Sequence, residues 1–186
     1  MLFGDRNDFA IEADVEPDLK PPSEVWGCMC VWCRGFALGE LHERYCCLGI
    51  AAAQFERLLA RFDELWTPEL AVFDDVGRWN FLKSLLYGYQ GDIDLAEHDR
   101  RTRDEMRTDW GVYGRFDFLT NWGEQFDGGF ASFIFCPPGG QVHILSRAFP
   151  ASLGLCVQVT PEGFLTAATG FVDWFREQER RLQTNG

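Results

Sequence analysis

Two-residue periodicity along the first 40 residues predicts the start of a β-sheet. Residues 9–16 alternate apolar and acidic side chains, which predicts a strand with one buried face and one wet, acidic face. Residues 24–33 are apolar on both faces, as in a central strand that is covered on both sides. Arg34 and Gly35 can turn the chain into residues 36–38, so a hairpin is predicted there.

Helical spacing of apolar residues predicts three helices, over residues 51–66, 75–87 and 161–182. The last helix follows Thr160 and Pro161, residue types that are typical of an N-cap and of the first helical position. These helices supply apolar faces that can cover a sheet.

Four more strands are predicted in the last third of the chain. They lie near residues 115–119, 129–136, 141–147 and 153–159. The segment 137–140 reads Pro-Pro-Gly-Gly and connects the second of these strands to the third as a hairpin. We expect Trp26, Trp32, Phe133 and Phe135 to be core residues of one sheet.

Together these elements predict a single α+β domain over residues 1–186. Its sheet is mainly antiparallel, about three helices pack against it, and the polar residues 88–110 form a mobile loop with a short helix. With 17 Phe and 7 Trp, the chain has enough apolar surface to offset its conformational entropy. It has no 18-residue apolar run and no secretory signal at its start, so we expect a cytoplasmic protein that does not span a membrane.

Net charge is the first clue to function. The formal charge is −12, and residues 1–99 contribute −11 of it, with 19 Asp and Glu against 8 Lys and Arg. Such a chain repels nucleic acid and anionic lipid and attracts basic proteins. Two dense acidic runs are therefore candidates for a partner-binding surface, although most such runs are only solvated faces. Their carboxylates are Asp63, Glu64, Glu69, Asp74, Asp75, Asp92, Asp94, Glu97 and Asp99.

The cysteines and histidines predict no metal, no cofactor and no catalytic residue. Cys28 and Cys30 share one face of a predicted strand and Cys33 lies on the other, so the three do not converge as zinc ligands do. Free thiols in a reducing compartment are the expected state. The three histidines are isolated, and the acidic run at 92–99 lacks the glycine and terminal glutamate of an EF-hand loop.

The loop 121–129 has two interpretations. It carries polar groups, two aromatic residues and glycines that permit unusual backbone angles. A functional loop has this composition, and so does a hydrogen-bonded structural corner. The residues alone favour neither.

Three segments resemble the immunity 42 family of bacterial polymorphic-toxin and contact-dependent inhibition systems. They are Leu-Phe-Gly-Asp-Arg-Asn-Asp-Phe-Ala-Ile-Glu at 2–12, the aromatic hairpin at 26–39, and Thr-Asn-Trp-Gly-Glu-Gln-Phe-Asp at 120–127 with its following strand through residue 145. The resemblance implies a small cytoplasmic protein that binds the toxin domain of its own locus and blocks it. None of the shared motifs is catalytic.

Two other classes stay open from the residues. A small enzyme would use the cysteine-rich hairpin or the 121–129 loop, and it would need a nucleophile and a base in one pocket. A generic adaptor subunit would present an exposed apolar patch rather than an acidic one. The preferred interpretation is an inhibitor that binds a basic cognate toxin domain, with neither nucleic acid nor membrane as a partner.

Overall fold

The computed structural model describes residues 1–42, 46–90, 93–94, 101–126, 130–148 and 154–183. Contacts divide the chain into two compact units, which are described separately below. The first unit comprises Met1–Ala60, Asn121–Asp127 and Gln158–Gly186, and the second comprises Arg61–Thr120 and Gly128–Val157.

The fold class is α+β, as predicted, with four α-helices in the described part of the chain rather than about three. The helices are α1 (Leu48–Ala60), α2 (Asp75–Tyr87), α3 (Arg103–Tyr113) and α4 (Pro161–Gln183). The strands are β1 (Leu2–Gly4), β2 (Phe9–Val15), β3 (Trp26–Cys33), β4 (Phe36–Leu38), β5 (Cys46–Cys47), β6 (Tyr89–Gln90), β7 (Ile93–Asp94), β8 (Phe130–Phe135), β9 (Val142–Ala148) and β10 (Gly154–Val159).

The first unit is built on an antiparallel sheet in the order β1-β2-β3-β4, with β5 also paired to β3. The predicted buried face of β2 is confirmed, because Phe9, Ile11 and Ala13 are fully buried. The opposite face is wet only in part, because Ala10 and Glu16 are buried as well. Phe9, Ile11 and Ala13 pair with Cys33, Val31 and Met29 of β3, so one face of both strands is apolar. This face packs against α4, where the rings of Phe9 and Phe164 lie 4.9 Å apart.

The opposite face of β3 corrects the expectation of a strand covered on both sides. Trp26, Cys28 and Trp32 are only half-buried there. Trp32 is held by polar groups as well as by packing: its indole N–H donates to Glu12 at 2.9 Å, and the Arg6 guanidinium lies 4.7 Å from its ring centre. The face that carries the Glu12 carboxylate is therefore partly polar, and the Trp32 side chain packs there against the salt bridge between Arg6 and Glu12.

Helices α1 and α4 form the layer above this sheet. The rings of Phe55 and Phe171 pack edge to face at 5.6 Å, and Trp122 packs on the other side of Phe55 at 5.3 Å. The predicted start of α4 is confirmed, since the Gly163 N–H donates to the Thr160 hydroxyl at 3.0 Å.

The predicted helix over 51–66 ends earlier than expected. Helix α1 stops at Ala60, and a 3-10 turn follows at Phe62–Glu64. The apolar spacing continues because Leu65 is also buried, but Leu65 belongs to the second unit. The spacing of apolar residues alone could not distinguish one long helix from a shorter helix followed by a turn.

The second unit contains the antiparallel sheet β10-β9-β8. The predicted connection is confirmed at 137–140, where the Gly140 N–H donates to the Pro137 carbonyl at 2.8 Å. Phe133 and Phe135 are fully buried in this sheet, whereas Trp26 and Trp32 lie in the sheet of the first unit. The expectation that these four aromatic residues share one sheet is wrong.

The strand predicted near 115–119 is also wrong. A 3-10 turn occupies Gly114–Phe116, and a single bridge joins Asp117 to Phe133. The chain then runs beside β8, but the Thr120 hydroxyl accepts the Ser132 N–H at 2.9 Å. A side chain therefore takes the place of a ladder hydrogen bond, and no regular strand forms.

Helix α2 covers the sheet of the second unit, with boundaries as predicted. Trp79, Leu82 and Leu86 are buried on its inner face, while Leu85 is half-buried. The Trp79 indole N–H donates to the Ala131 carbonyl of the strand β8 segment at 3.1 Å, which ties the helix to the sheet.

Residues 88–110, expected as a loop with a short helix, contain the strands β6 and β7 and most of α3. Helix α3 starts at a full capping box, in which Thr102 and Glu105 bond each other's backbone N–H. The spacing Thr-x-x-Glu at 102–105 was the sequence signal for this helix start. It is easily missed because no residue of α3 is buried.

Candidate functional site

The carboxylates predicted between residues 63 and 75 lie along two 3-10 turns and the start of α2. Asp63 and Glu64 belong to the turn Phe62–Glu64, and Glu69 belongs to the turn Pro68–Val72. Asp63, Glu64, Glu69 and Asp74 are exposed, while Asp75 is half-buried. We call these five residues the acidic run.

Arginines balance part of the acidic run in space. Glu64 accepts from Arg61 at 2.7 Å, and Asp75 accepts from Arg78 at 2.8 Å. Arg115 lies nearby and donates to the backbone carbonyl of Glu64 at 2.8 Å. The sequence between residues 62 and 77 contains no basic residue, which predicts that the negative charge of the run is unbalanced. That expectation is wrong in part, because Arg61, Arg78 and Arg115 lie outside this stretch but contact the run in the folded chain.

Two members of the acidic run also have local structural roles. The Asp74 carboxylate accepts the Gly77 N–H at 2.7 Å and so caps α2. Asp75 accepts the Cys156 thiol at 2.8 Å. Burial, with the hydrogen bond to the Asp75 carboxylate as a second cause, raises the pKa of Cys156 to about 12. Glu69 accepts a hydrogen bond from the Thr67 hydroxyl, which lowers the pKa of Glu69.

The second predicted run is mostly outside the described residues. Asp92, Glu97 and Asp99 lie there, and the backbone of Asp94 lies in β7, paired with Tyr89 of β6. Arg101, which follows this run, donates to the carbonyls of Ser84 and Leu85 near the end of α2. A guanidinium at this position complements the negative end of the helix dipole.

A groove in the first unit was not predicted. It has a volume of about 880 Å³ and is formed by the segment 22–25, the first turns of α1 and the end of α4. Glu24, Ile50, Ala53, Phe175, Glu179 and Leu182 are among its lining residues. We call it the acidic groove. Its walls come from three distant parts of the sequence, so no local pattern could have indicated it.

The 121–129 loop is a structural corner over the residues described, 121–126. Trp122, Gln125 and Phe126 are buried. Gly39 has a φ of +85°, and a Cβ there would lie 2.5 Å from the Phe126 ring, so a glycine is required beneath that ring. The Gln125 carbonyl accepts the Glu40 N–H at 3.1 Å. Of the two interpretations, the structure favours the corner for these six residues.

The cysteine-rich hairpin has the properties of core packing. Burial raises the pKa of Cys30 to about 11 and raises that of Cys33 further, so both thiols are protonated near neutral pH. All seven cysteines are free thiols. Among the residues that the structure describes, no three His, Cys, Asp or Glu side chains converge in a way that could hold a metal ion.

Sequence comparison decides the family. The profile of the family described as immunity protein 42 matches residues 1–148, well over half of the chain. The chain belongs to the immunity protein 42 family. As an immunity protein it binds a cognate toxin domain and neutralises it. The resemblance carried by the segments 2–12, 26–39 and 120–127 is confirmed.

A solved structure shows the fold of this immunity protein in another chain. CdiI from Burkholderia dolosa AUO158 matches with a TM-score of 0.59 and 13% sequence identity, over 94% of this chain and 99% of that one. At this identity the similarity concerns the fold. No curated protein matches the immunity protein in sequence. None of the helices described in it has the length and apolar character needed to cross a membrane.

Proposed function

We propose that this immunity protein inhibits a basic toxin domain by stoichiometric binding, with its acidic surface facing the toxin. The net charge of −12 carries the proposal. A basic surface is common on toxins that act on nucleic acid, because they must neutralise phosphates. An acidic inhibitor is attracted to such a surface and can occupy it, and for the same reason it avoids nucleic acid and anionic membranes.

The acidic run, together with Asp92, Asp94, Glu97 and Asp99, is our candidate for the surface that steers the toxin during encounter. Exposed charges act mainly on the association rate. Asp63 and Glu69 fit this role best, because both are exposed and neither forms a salt bridge with a described residue. Glu69 also feels the positive charge of Arg115. Asp74 and Asp75 also contribute to the negative electrostatic potential, but Asp74 accepts a hydrogen bond from Gly77 and Asp75 is paired with Arg78.

The inhibitor acts without catalysis in this proposal. A cysteine nucleophile needs a lowered thiol pKa and an accessible position. The pKa values of Cys30, Cys33 and Cys156 are instead raised, and burial is the largest cause for each. The corner at 121–126 is filled by the buried side chains of Trp122 and Phe126. An enzyme would have used the cysteine-rich hairpin or this corner, and the side chains at both places have the properties of core packing instead.

The proposed location is the bacterial cytoplasm, in a system of the contact-dependent inhibition kind. The similarity in fold to CdiI supports the kind of system. Seven free thiols suit a reducing compartment.

Co-purification with the toxin domain encoded beside this protein tests the proposal. We expect a 1:1 complex, protection of cells that express the toxin, and an association rate that falls steeply as salt rises. The matched control is the toxin domain of an unrelated locus, which should neither bind nor be neutralised. Absence of a complex would contradict inhibition by binding, and a salt-independent association rate would contradict the basic toxin.

A further inference from the structure

We propose that the acidic groove is where the toxin docks, and that the docked segment presents an apolar side chain flanked by Lys or Arg. This inference rests on the proposed function and adds the location and the chemistry of contact. It places the main binding contacts on the first unit, whereas the acidic run belongs to the second.

The floor of the acidic groove is apolar and its walls are fixed. Phe175 and Leu182 of α4 are buried along it, while Ile50 of α1 is 46% exposed. The segment 22–25 forms one wall and is held at both ends by backbone hydrogen bonds. The Ser23 N–H donates to the Leu182 carbonyl at 3.1 Å, and the Leu48 N–H donates to the Val25 carbonyl at 3.1 Å. A wall held in this way loses little conformational entropy when a partner binds.

Carboxylates surround this floor without ion pairs among the described residues. Glu24 and Glu179 line the groove, and Glu124 lies next to it. Cys47 donates to two of these carboxylates: its thiol donates to Glu24 at 3.8 Å, and its backbone N–H donates to Glu124 at 3.4 Å. A cation from a partner can form ion pairs with these carboxylates.

Among the described residues that line the groove, Arg57 carries a guanidinium, and its hydrogen bond goes to Gln54 at 3.3 Å. It leaves Glu24 and Glu179 available. Arg176, on α4, is occupied by Glu56 at 2.9 Å and does not line the groove. Among the lining residues described, Glu24 and Glu179 form no ion pair, so a bound partner can supply cations to them.

Charge complementarity identifies the occupant. The first unit has 16 Asp and Glu against 8 Lys and Arg, a net charge of −8. A second copy of this chain would bring the same negative charge to the groove, and an anionic lipid or nucleic acid would be repelled as well. In a segment with an apolar side chain between basic residues, the apolar side chain can pack on the floor and the basic residues can pair with the carboxylates around it. The toxin is the partner that we expect to be basic.

Charge reversal on the rim tests this docking site. The test variant is Glu24→Lys with Glu179→Lys, and the matched control is Asp18→Lys with Glu177→Lys. The control residues are exposed, lie in the first unit outside the groove, and change the net charge by the same amount. Glu177 is two residues from Glu179 on the same helix. The probe is the purified toxin domain encoded beside this protein, and its Kd is measured by calorimetry.

We expect the groove variant to weaken binding by roughly 30-fold or more, since a broken interfacial charge pair typically costs at least this much. The control should bind nearly as the unmodified protein does. Ala53→Arg, which places a cationic side chain on the exposed side of α1 inside the groove, should also weaken binding. Far-ultraviolet circular dichroism and the denaturation midpoint verify that each variant is folded.

Three results would overturn the docking site. The first is equal weakening by both double variants, which would indicate a general charge effect. The second is unchanged toxin binding by the folded groove variants and Ala53→Arg. The third is loss of self-association rather than of toxin binding, which would make a second copy the occupant. In each case the unmodified protein still binds the toxin, so the proposed function stands. If the unmodified protein itself fails to bind, the proposed function fails first.

Discussion

The carboxylates of the acidic groove, in the first unit, and those of the acidic run, in the second, make different contacts. The first unit has a net charge of −8, and three of its carboxylates, Glu24, Glu124 and Glu179, lie around a groove without ion pairs to described residues. The second unit has 13 Asp and Glu against 9 Lys and Arg, a net charge of −4. There, Glu64 and Asp75 bind arginines and Asp74 caps a helix.

This contrast teaches that a dense run of acidic residues in the sequence is not the same as a set of carboxylates free to bind a partner. The acidic run is the denser stretch in the sequence, but folding uses part of it. The carboxylates at the rim of the acidic groove, Glu24, Glu124 and Glu179, are far apart in the sequence, and only the fold brings them together. Comparing matched variants in the two units tests this difference, and the expected effects are considered from the largest to the smallest.

The sheets of the two units should differ most in sensitivity to aromatic truncation. Phe133 of β8 is fully buried between Trp79 and the neighbouring rings, whereas Trp32 of β3 is half-buried. Phe133→Ala should lower the free energy of unfolding by about 3–5 kcal/mol, and Trp32→Ala by less. Denaturant unfolding of both variants measures this. Equal losses would mean that the mixed face of β3 is as well packed as the core.

Removing the Asp75 carboxylate of the second unit should cost stability, whereas removing a carboxylate at the groove should cost almost none. Asp75→Ala leaves the Arg78 guanidinium, only 17% exposed in its side chain, without its carboxylate partner and takes away the acceptor of Cys156. We expect a loss of about 1–3 kcal/mol for the group left unsatisfied. Glu24→Ala, the matched change in the first unit, should cost less than about 0.5 kcal/mol. The denaturation midpoints decide, and a larger loss for Glu24→Ala would reverse the comparison.

The cap at Asp74 separates the charge of the acidic run from its structural role. Asp74→Ala removes the acceptor of the Gly77 N–H and should lower the free energy of unfolding by about 1 kcal/mol. Asp74→Asn removes the same charge but keeps a good N-cap, so its stability should be nearly unchanged. Thermal or denaturant unfolding gives both values. If the two variants lose the same stability, charge rather than capping explains the effect.

Much of the fold could be predicted because its signals are local. The alternation in residues 9–16, the Thr160–Pro161 start of α4 and the turn at 137–140 all correspond to observed elements. Helix α3 also had a local signal in Thr102 and Glu105, but its lack of buried residues removed the periodicity by which helices are usually recognised.

The other differences come from long-range contacts. The Thr120 hydroxyl replaces a ladder hydrogen bond to Ser132, and nothing near residue 120 in the sequence announces this. Arg115 reaches the Glu64 carbonyl from 51 residues away, so the balance of the acidic run could not be counted along the chain. The acidic groove likewise needs Glu24 and Glu179, which only the tertiary fold brings to one surface.

The thiol of Cys156 reports on Asp75 without a partner protein. Part of Cys156 is exposed, but burial of the thiol and its hydrogen bond to Asp75 raise the pKa to about 12, so the thiol stays protonated and reacts slowly at pH 8. Asp75→Asn removes a negative charge that disfavours the thiolate, so the pKa should fall and alkylation should become faster. Mass spectrometry after timed iodoacetamide treatment measures the rate, and Cys47 of the first unit is the internal control, expected to be unchanged. An unaltered Cys156 rate would show that burial alone sets its pKa.

The smallest expected effect is on the rate at which the toxin arrives. Asp63→Asn with Glu69→Gln removes two exposed charges of the acidic run, and Asp92→Asn with Asp94→Asn removes two from the second run. Each pair should slow association modestly and flatten its salt dependence, leave dissociation almost unchanged, and alter stability by less than about 0.5 kcal/mol. Glu24→Gln with Glu179→Gln should do the opposite, mainly speeding dissociation, because those charges would be buried in the complex. Stopped-flow association and dissociation rates at several salt concentrations distinguish the two patterns. If the acidic-run variants speed dissociation while the groove variants do not, the toxin contacts the second unit directly, and the roles assigned to the two units must be exchanged.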